Sequence, residues 1–339
     1  MNDENKKVLK FKKIKNKLLL GIDIGGTLTK LCIVCGKDEK EINDFLFSNK
    51  IYEYFDLKEY NLFLTSFFTT NLEKTLFSLL KDLNDKSKIE EINSTGGGAY
   101  KYEKIIKNNF NVNLIKIDEL QSLINGYIFM NYYNNIFEII NNNEIRTIPF
   151  GDFKFPHISV NIGSGVSILK VLSPDKYERI GGTLMGGGTL IGLSKLIIGI
   201  DNFDKILELA NQGNIENVDI TTKDLINNSG DEKSSEIEVI SSLGKIHEYI
   251  QSGKKDKIKK EDISLSLLNM ICSHISQYSV LYAEKNKIDT IYYFGTFTKK
   301  DSITNKLLNK TSKHWNKEIK IRFNYLGGYL GTLGSVLEY

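Results

Sequence analysis

Apolar positions follow two rhythms along this chain. Two short apolar runs, 18–24 (LLLGIDI) and 27–34 (TLTKLCIV), flank Gly25-Gly26. Runs of this length bounded by glycine read as buried strands, and the glycine pair between them reads as a hairpin. Gly36-Lys37-Asp38 closes the second strand, and a third is expected within 44–54. From 72 the rhythm becomes helical: Leu72, Leu76, Leu79, Leu80 and Leu83 recur behind Thr70-x-x-Glu73, a capping-box pattern. A strand near 89–94, a triple glycine at 96–98, a helix from Ala99, a strand over 112–117 and a helix opening at Asp118 complete a first half.

The second half opens near 156 and starts the same way. Strands 157–161 and 166–171 flank Gly163-Ser164-Gly165. Three glycines at 186–188 lead an apolar helix to 200, and a further helix starts at Asp201-x-x-Asp204 and ends by Gly213. Residues 213–262 are polar, with weak periodicity. A long helix from 263 lines up Leu268, Ile271, Ile275, Tyr278 and Tyr282. Strands 288–294 and 319–325 follow, and Gly327, Gly328, Gly331 and Gly334 open the last helix. The Asn-rich run 132–143 reads as a surface insertion. Strands alternating with helices in two matching halves predict an α/β protein.

Composition narrows this picture. Across 339 residues, 41% hydrophobic and 26% charged content is that of a globular chain, and no apolar run nears the ~20 residues of a bilayer span. A net charge of +3 gives no large footprint for nucleic acid. Only three arginines occur, Arg146, Arg179 and Arg322, in a chain where lysine is everywhere, so each arginine is informative. Cys32, Cys35 and Cys272 are too few for a disulfide framework, which points to a reducing compartment. Cys32 and Cys35 lie three apart in a strand and so face opposite sides, against a redox or metal role. Seven lysines in residues 1–17, with Asp3, Glu4 and no arginine, read as a mobile solvated arm rather than a transit peptide. His157, His247, His274 and His314 show no metal-ligand spacing.

Glycine turns at the ends of buried strands suit phosphate binding. Without Cβ the backbone approaches an anion closely, and successive N–H groups can point at it. Such turns recur here at 25–26, 96–98, 163–165 and 186–188. Neither a Walker loop nor a dinucleotide fingerprint is present. Instead Asp23, Gly25, Gly26, Thr27 and Lys30 supply an acid, a backbone loop, a hydroxyl and a cation within eight residues. Asp23 can hold Mg2+ directly or through water.

These stretches resemble the type II (eukaryotic-type) pantothenate kinases of the acetate/sugar kinase–heat-shock–actin superfamily. The matching segments are 21–30 (GIDIGGTLTK), 95–102 (TGGGAYKY), Asp118-Glu119-Leu120, 160–169 (VNIGSGVSIL), 179–190 (RIGGTLMGGGTL) and 325–337 (YLGGYLGTLGSVL). They run in family order over most of 18–338. The resemblance implies two ribonuclease-H-like (actin-like ATPase) domains, 18–150 and 151–339, with ATP in the cleft between them. It implies ATP contacts from Asp23, Gly25, Gly26, Thr27, Lys30, Gly97, Gly163, Gly295 and Gly331, with Gly295 and the C-terminal glycines around the adenosine. It assigns Glu119 as catalytic base, with Asp118 as helix cap. Ser164, Ser167 and Arg179 become ligands of pantothenate or of an acyl-CoA inhibitor. A cytoplasmic homodimer under feedback by CoA or acyl-CoA is the family pattern, with the long helix at 263–285 in the dimer contact.

Three departures stand out. Residues 225–231 (LINNSGD) replace a family stretch with two tyrosines, Leu326-Gly327 replaces a Glu-Gly, and Thr296 stands where asparagine is common. Two other readings remain open at this point. One is a different small-alcohol or sugar kinase of the same fold; the other is a degenerate kinase subunit acting only in a hetero-oligomer. A sugar site would place an Asn-Asp pair before the second phosphate loop, where Asp118-Glu119 stands instead. A degenerate subunit would have lost the acid, Lys30 or the glycines.

Overall fold

The computed structural model describes residues 9–49, 53–133, 135–140, 144–226, 238–298 and 302–338. A short strand, Lys10–Phe11 (β1), precedes the expected hairpin of Leu18–Ile24 (β2) and Leu28–Gly36 (β3). Then come Lys40–Ser48 (α1), Glu53–Asp56 (β4), Tyr60–Phe68 (β5), Leu72–Asn84 (α2), Glu91–Thr95 (β6), Gly98–Phe110 (α3), Asn113–Lys116 (β7) and Glu119–Asn131 (α4). Strands Ile136–Ile139 (β8) and Ile145–Thr147 (β9) lead to His157–Ile162 (β10), Val166–Ser173 (β11) and Lys176–Thr183 (β12). Helices Gly187–Ile198 (α5) and Phe203–Ala210 (α6) follow, then a small excursion of Ile220–Thr221 (β13), Thr222–Ile226 (α7), Val239–Ser241 (β14) and Ile246–Gln251 (α8). The chain ends through Lys260–Lys285 (α9), Thr290–Phe294 (β15), Ile303–Trp315 (α10), Lys320–Asn324 (β16), Leu330–Ser335 (α11) and Leu337–Glu338 (β17).

The two large sheets carry the same topology. The first runs β4-β5-β3-β2-β6-β7 and the second β12-β11-β10-β15-β16-β8-β9. In each, the leading strand pairs antiparallel with its hairpin partner and parallel with the next strand reached through helix: β2 with β3 and β6, β10 with β11 and β15. A third strand then adds antiparallel to the hairpin and a fifth adds parallel on the other side. That order is the ribonuclease-H-like arrangement, present twice.

Burial follows this duplication. One core lies between the first sheet and α1–α3, and another between the second sheet and α5, α6, α9 and α10. A third fills the space between the sheets, where Leu19, Cys32 and Val34 of the first sheet and Leu169, Tyr292 and Phe294 of the second close on α4 and α11. Helix α4 is buried on every side from Ser122 to Asn131 because both sheets cover it. It crosses α11 with backbones in contact: a Cβ on Gly334 would sit 1.6 Å from the Ser122 carbonyl oxygen, and one on Gly126 would sit 2.0 Å from that of Leu330. The two cysteines of the β3 run divide between cores, Cys32 inward and Cys35 on the α1–α3 side, as their spacing requires. Both thiols are free, and burial pushes the Cys35 thiol up to about 12.

Several local expectations give way. Residues 40–48 are helical rather than part of a third strand, because Ile42, Asn43 and Leu46 share a buried helical face; the strand begins only at Glu53. The run 132–143 holds β8, where Ile136 and Phe137 are fully buried and pair with β16, so this segment extends the second sheet ahead of residue 150. Helix α2 has Asn71 at its N-cap and no side-chain capping bond, so the Thr70 capping box does not form. Helix α6 is capped by Asn202, not started at Asp201. Tyr278 is exposed on α9. Residues 9–17 are not a solvated arm: Leu9 is buried, β1 pairs with β17, and Lys12 donates to Asn93 Oδ1 at 2.7 Å and to the Ser335 carbonyl at 2.8 Å. Residues 1–8 of that arm and 227–231 of the tyrosine-free stretch lie outside the described residues.

A buried polar cluster pins α4 to the second sheet. Tyr127 and His157 Nε2 share a hydrogen bond of 2.8 Å, and His157 Nδ1 lies 2.9 Å from the Lys154 carbonyl. Burial lowers the His157 pKa to about 4. The unfolded chain protonates this group near 6.5, so between those values the unfolded state binds more protons and stability falls as pH falls. The loss attributable to His157 reaches about 3 kcal/mol by pH 4. Urea midpoints measured at pH 7 and pH 4.5 should therefore drop less in His157→Gln than in the parent. An equal drop in both would remove His157 as the cause.

Candidate active site

The strand register puts Lys30, Asp23 and Thr95 side by side across β3, β2 and β6. They point away from the α1–α3 core, into the space between the sheets. Lys30 Nζ pairs with Asp23 Oδ2 at 3.4 Å. The Thr95 hydroxyl is buried with no partner among the described residues. Two glycines let the backbone crowd this acid. A Cβ on Gly96, whose φ is +81°, would stand 2.6 Å from Asp23 Oδ1, and one on Gly331 would stand 3.8 Å from Oδ2. Gly97 and Gly26 have open space where a side chain would be.

Glu119 opens α4 directly beyond β7, with Asp118 as cap accepting the Gln121 amide at 2.8 Å. Its side chain reaches solvent, yet surrounding protein displaces water around the carboxyl and raises its pKa above the ordinary carboxylate value. The negative charges of Asp23 and Asp118 push it further up, and Lys30 pulls it down. Glu119 thus shares one electrostatic environment with the Asp23–Lys30 pair, although it is distant in sequence.

The second glycine turn faces the first. Thr27 Oγ1 and Ser164 Oγ lie 3.1 Å apart across the cleft, joining the tips of the β2–β3 and β10–β11 hairpins. Glycines 186–188 let α5 start against the second tip: Gly187 donates to the Gly163 carbonyl at 2.8 Å and Gly188 to that of Ser164 at 3.0 Å. Gly295, at φ +107°, abuts the Ile162 carbonyl behind the same tip and donates to the Gly327 carbonyl at 3.3 Å. The C-terminal glycines therefore separate. Gly327 and Gly328 lie against 295–298, whereas Gly331 reaches Asp23 and Gly334 packs on α4.

Arg179 is exposed on β12 and bounds an open hollow of about 410 Å3 with Val166, Gly182 and Thr183. Ser167, between Asn161 and Gly182 in register, has a buried hydroxyl with no partner among the described residues. Asp23, Lys30, Glu119 and Gly331 are brought together, and Thr27 and Ser164 meet as a separate pair at the hairpin tips. Arg179 borders the open hollow, whereas Gly295 and the Ser167 hydroxyl are buried behind it.

Thr69 is the residue that sequence reasoning missed. Its hydroxyl donates to the Gly25 carbonyl at 2.8 Å and lies 3.1 Å from Thr29 Oγ1, while its amide donates to the Thr27 carbonyl at 2.9 Å. It braces the first glycine turn from below. The only nearby signal, Thr70-x-x-Glu73, pointed one residue further along.

Two ribonuclease-H-like halves, with glycine hairpin tips meeting across a cleft, define the actin-like ATPase class. Within that class the chain belongs to the Fumble family, whose family model matches residues 19–338. A Schizosaccharomyces pombe protein named pantothenate kinase is 32% identical over 94% of this chain and 81% of its own length. Pantothenate kinase 1 of Oryza sativa subsp. japonica is 31% identical over 95% of this chain and 47% of its own. The 4'-phosphopantetheine phosphatase of Mus musculus is 32% identical over 97% of this chain. The match spans 42% of that mouse protein, so the chain covers less than half the length of the mouse and rice relatives. Among solved structures, the ADPNP-bound activator of 2-hydroxyisocaproyl-CoA dehydratase from Clostridium difficile is 14% identical, with a TM-score of 0.49 over 94% of this chain and 92% of that one.

Proposed function

We propose that this chain is an ATP-dependent pantothenate kinase, forming 4'-phosphopantothenate at the first step towards coenzyme A. The observation that carries the reading is Glu119, a carboxylate of raised pKa beside the Asp23–Lys30 pair in a chain of this family. Phosphorylating an alcohol needs in-line positioning, charge neutralisation and a proton acceptor. The substrate oxygen attacks the γ-phosphorus, the bond to the β,γ-bridging oxygen breaks, and the alcohol proton passes to Glu119. Lys30 and the backbone N–H groups of the two glycine turns take up phosphate charge. Pantothenate lies in the hollow beside Arg179, whose planar five-donor head suits an oxygen-rich ligand, with Ser164 and Ser167 as hydrogen-bonding partners.

The donor set fits Mg2+. One carboxylate, Asp23, is at hand, and no group of three or more His, Cys, Asp or Glu gathers among the described residues. Mg2+ bound mainly by water and nucleotide phosphates needs no more than that, and when bound it neutralises phosphate charge. The exposed side chains of Leu184 and Leu196, with Tyr278 and Leu281 of α9, support a homodimer, which light scattering at twice the chain mass would check. Feedback by CoA or acyl-CoA would act by competition in the Arg179 hollow, read as a rise in the pantothenate KM. No helix among the described residues is long and apolar enough to cross a membrane. Free, buried thiols at Cys32, Cys35 and Cys272 support a cytoplasmic setting.

An ADP-release assay with the pure protein, ATP and pantothenate tests the reading, with glucose as the competing acceptor. Turnover should require pantothenate. Because burial and Asp23 raise the Glu119 pKa, the acidic limb of kcat/KM should lie above the ordinary carboxylate range and activity should rise with pH through it. Turnover of glucose instead would favour a sugar kinase. Turnover only after adding a partner chain would favour a subunit inactive by itself.

A further inference from the structure

Glu119 belongs by sequence to the first half. The chain leaves β7 with Ile117 donating to the Ser94 carbonyl at 2.8 Å, and α4 begins two residues later. Yet the second half holds that first helical turn. Tyr177 of β12 donates its hydroxyl to Asp118 Oδ1 at 3.3 Å. The same oxygen already accepts the Gln121 amide, so the helix is capped without Tyr177. One turn along, Gln121 Nε2 donates to the Pro174 carbonyl at 3.1 Å, in the connection between β11 and β12. Both contacts cross between the halves, and they bracket Glu119.

The strand that supplies Tyr177 also supplies Arg179. Tyr177 stands opposite Val171 and Arg179 opposite Leu169, and the register irregularities fall on either side of this stretch. Two residues apart in a regular strand, the side chains share a face. Arg179 has no partner among the described residues and lies over Gly182, where a Cβ would stand 3.3 Å from its Nη2.

We propose that Tyr177 is a positioning residue that ties the Glu119 turn of α4 to the strand bearing Arg179, so that the proton acceptor moves with the bound alcohol rather than with the first sheet. This rests on the roles given above to Glu119 and Arg179. The physical need is plain. If the halves rock about the α4–α11 crossing, a base fixed only to the first sheet changes its distance to a substrate gripped by the second. Misplacement of a reacting group by about 1 Å can cost on the order of 10²-fold in rate. The Tyr127–His157 bond holds the middle of α4 to the second sheet and Gln121 reaches Pro174, and the Tyr177 hydroxyl extends that hold to the residue next to Glu119.

The test is Tyr177→Phe in the full-length chain, which keeps the ring and deletes only the hydroxyl. With pantothenate and ATP, kcat should fall about tenfold. The KM for ATP should stay at the parent value, because Asp23, Lys30 and both glycine turns are unaltered. The urea midpoint should also hold, since Asp118 still caps α4. An unchanged kcat overturns the proposal. So does a fall in kcat accompanied by a shifted ATP KM or a lowered midpoint, which would mark a general structural role. Failure of the parent protein to phosphorylate pantothenate would sink the functional reading, and this proposal with it; that result is visible without the variant.

Discussion

Glu119→Gln should lower kcat for pantothenate phosphorylation by about 10²–10⁴-fold, the usual contribution of a positioned general base. The exchange keeps the side chain's size and removes its capacity to take a proton. Folding should survive it, because α4 is capped by Asp118 and buried by both sheets from Ser122 onward. The lost charge at a helix N-terminus costs about 0.3–1 kcal/mol of stability at most. The KM for ATP should change little, since the Asp23–Lys30 pair stays in place. Steady-state kinetics beside a thermal melt check this. A loss under tenfold with an unchanged melt would mean that the proton leaves by another route.

Gly334→Val should strongly destabilise the fold. The α4–α11 crossing has no room for a side chain, and a Cβ at 334 would coincide with the Ser122 carbonyl. Neither helix can retreat, because both sheets pack on their outer faces. Overpacking usually costs about 1–3 kcal/mol, and a clash with the α4 backbone at Ser122 and Gly126, which cannot rotate aside as a side chain would, puts this case at or above the upper end. Gly192→Ala is the matched control. It lies on exposed α5 with nothing within 4 Å, so it should be neutral or stabilise by up to about 1 kcal/mol through helix propensity. Thermal unfolding of the two variants should differ in sign or by several degrees. Equal midpoints would show that the helices part easily.

Much of the fold could be read from local pattern. The hairpin strands, β6, β10, β11, β15 and β16 are short apolar runs with glycine at their ends, and alternation alone separated Cys32 from Cys35. Features fixed by distant partners could not be read this way. Strand β8 looks like an Asn-rich loop until β16 pairs with it. The basic segment at 9–17 looks solvated until β17 returns to meet β1. Strand β12, with Tyr177 in it, has no legible strand period, since Lys, Glu and two glycines dilute it.

The site divides in the same manner. Asp23, Lys30 and the first glycine turn are close in sequence, so residue type and spacing alone single them out. Glu119 is an acid at a helix start, which a helix dipole explains equally well; the resemblance of Asp118-Glu119-Leu120 to the family motif singles it out, and its nearness to Asp23 and Lys30 supports that reading. Gly327 and Gly331 are close in sequence, yet Gly327, in the turn before α11, lies against Gly295, whereas Gly331, inside α11, lies against Asp23. Thr69 carries no signal, because a hydroxyl that braces one turn from another, here the turn just after β5, leaves no periodic mark.

The meeting of Thr27 with Ser164 also bears on calorimetry. Each hydroxyl carries a single hydrogen, and one of the two is already committed to the other. A polyphosphate arriving there can accept the uncommitted hydrogen at once, but gains the second only by breaking the Thr27–Ser164 bond. Heat measured on titration would therefore count one of these two contacts in full and the other only as the difference between two bonds.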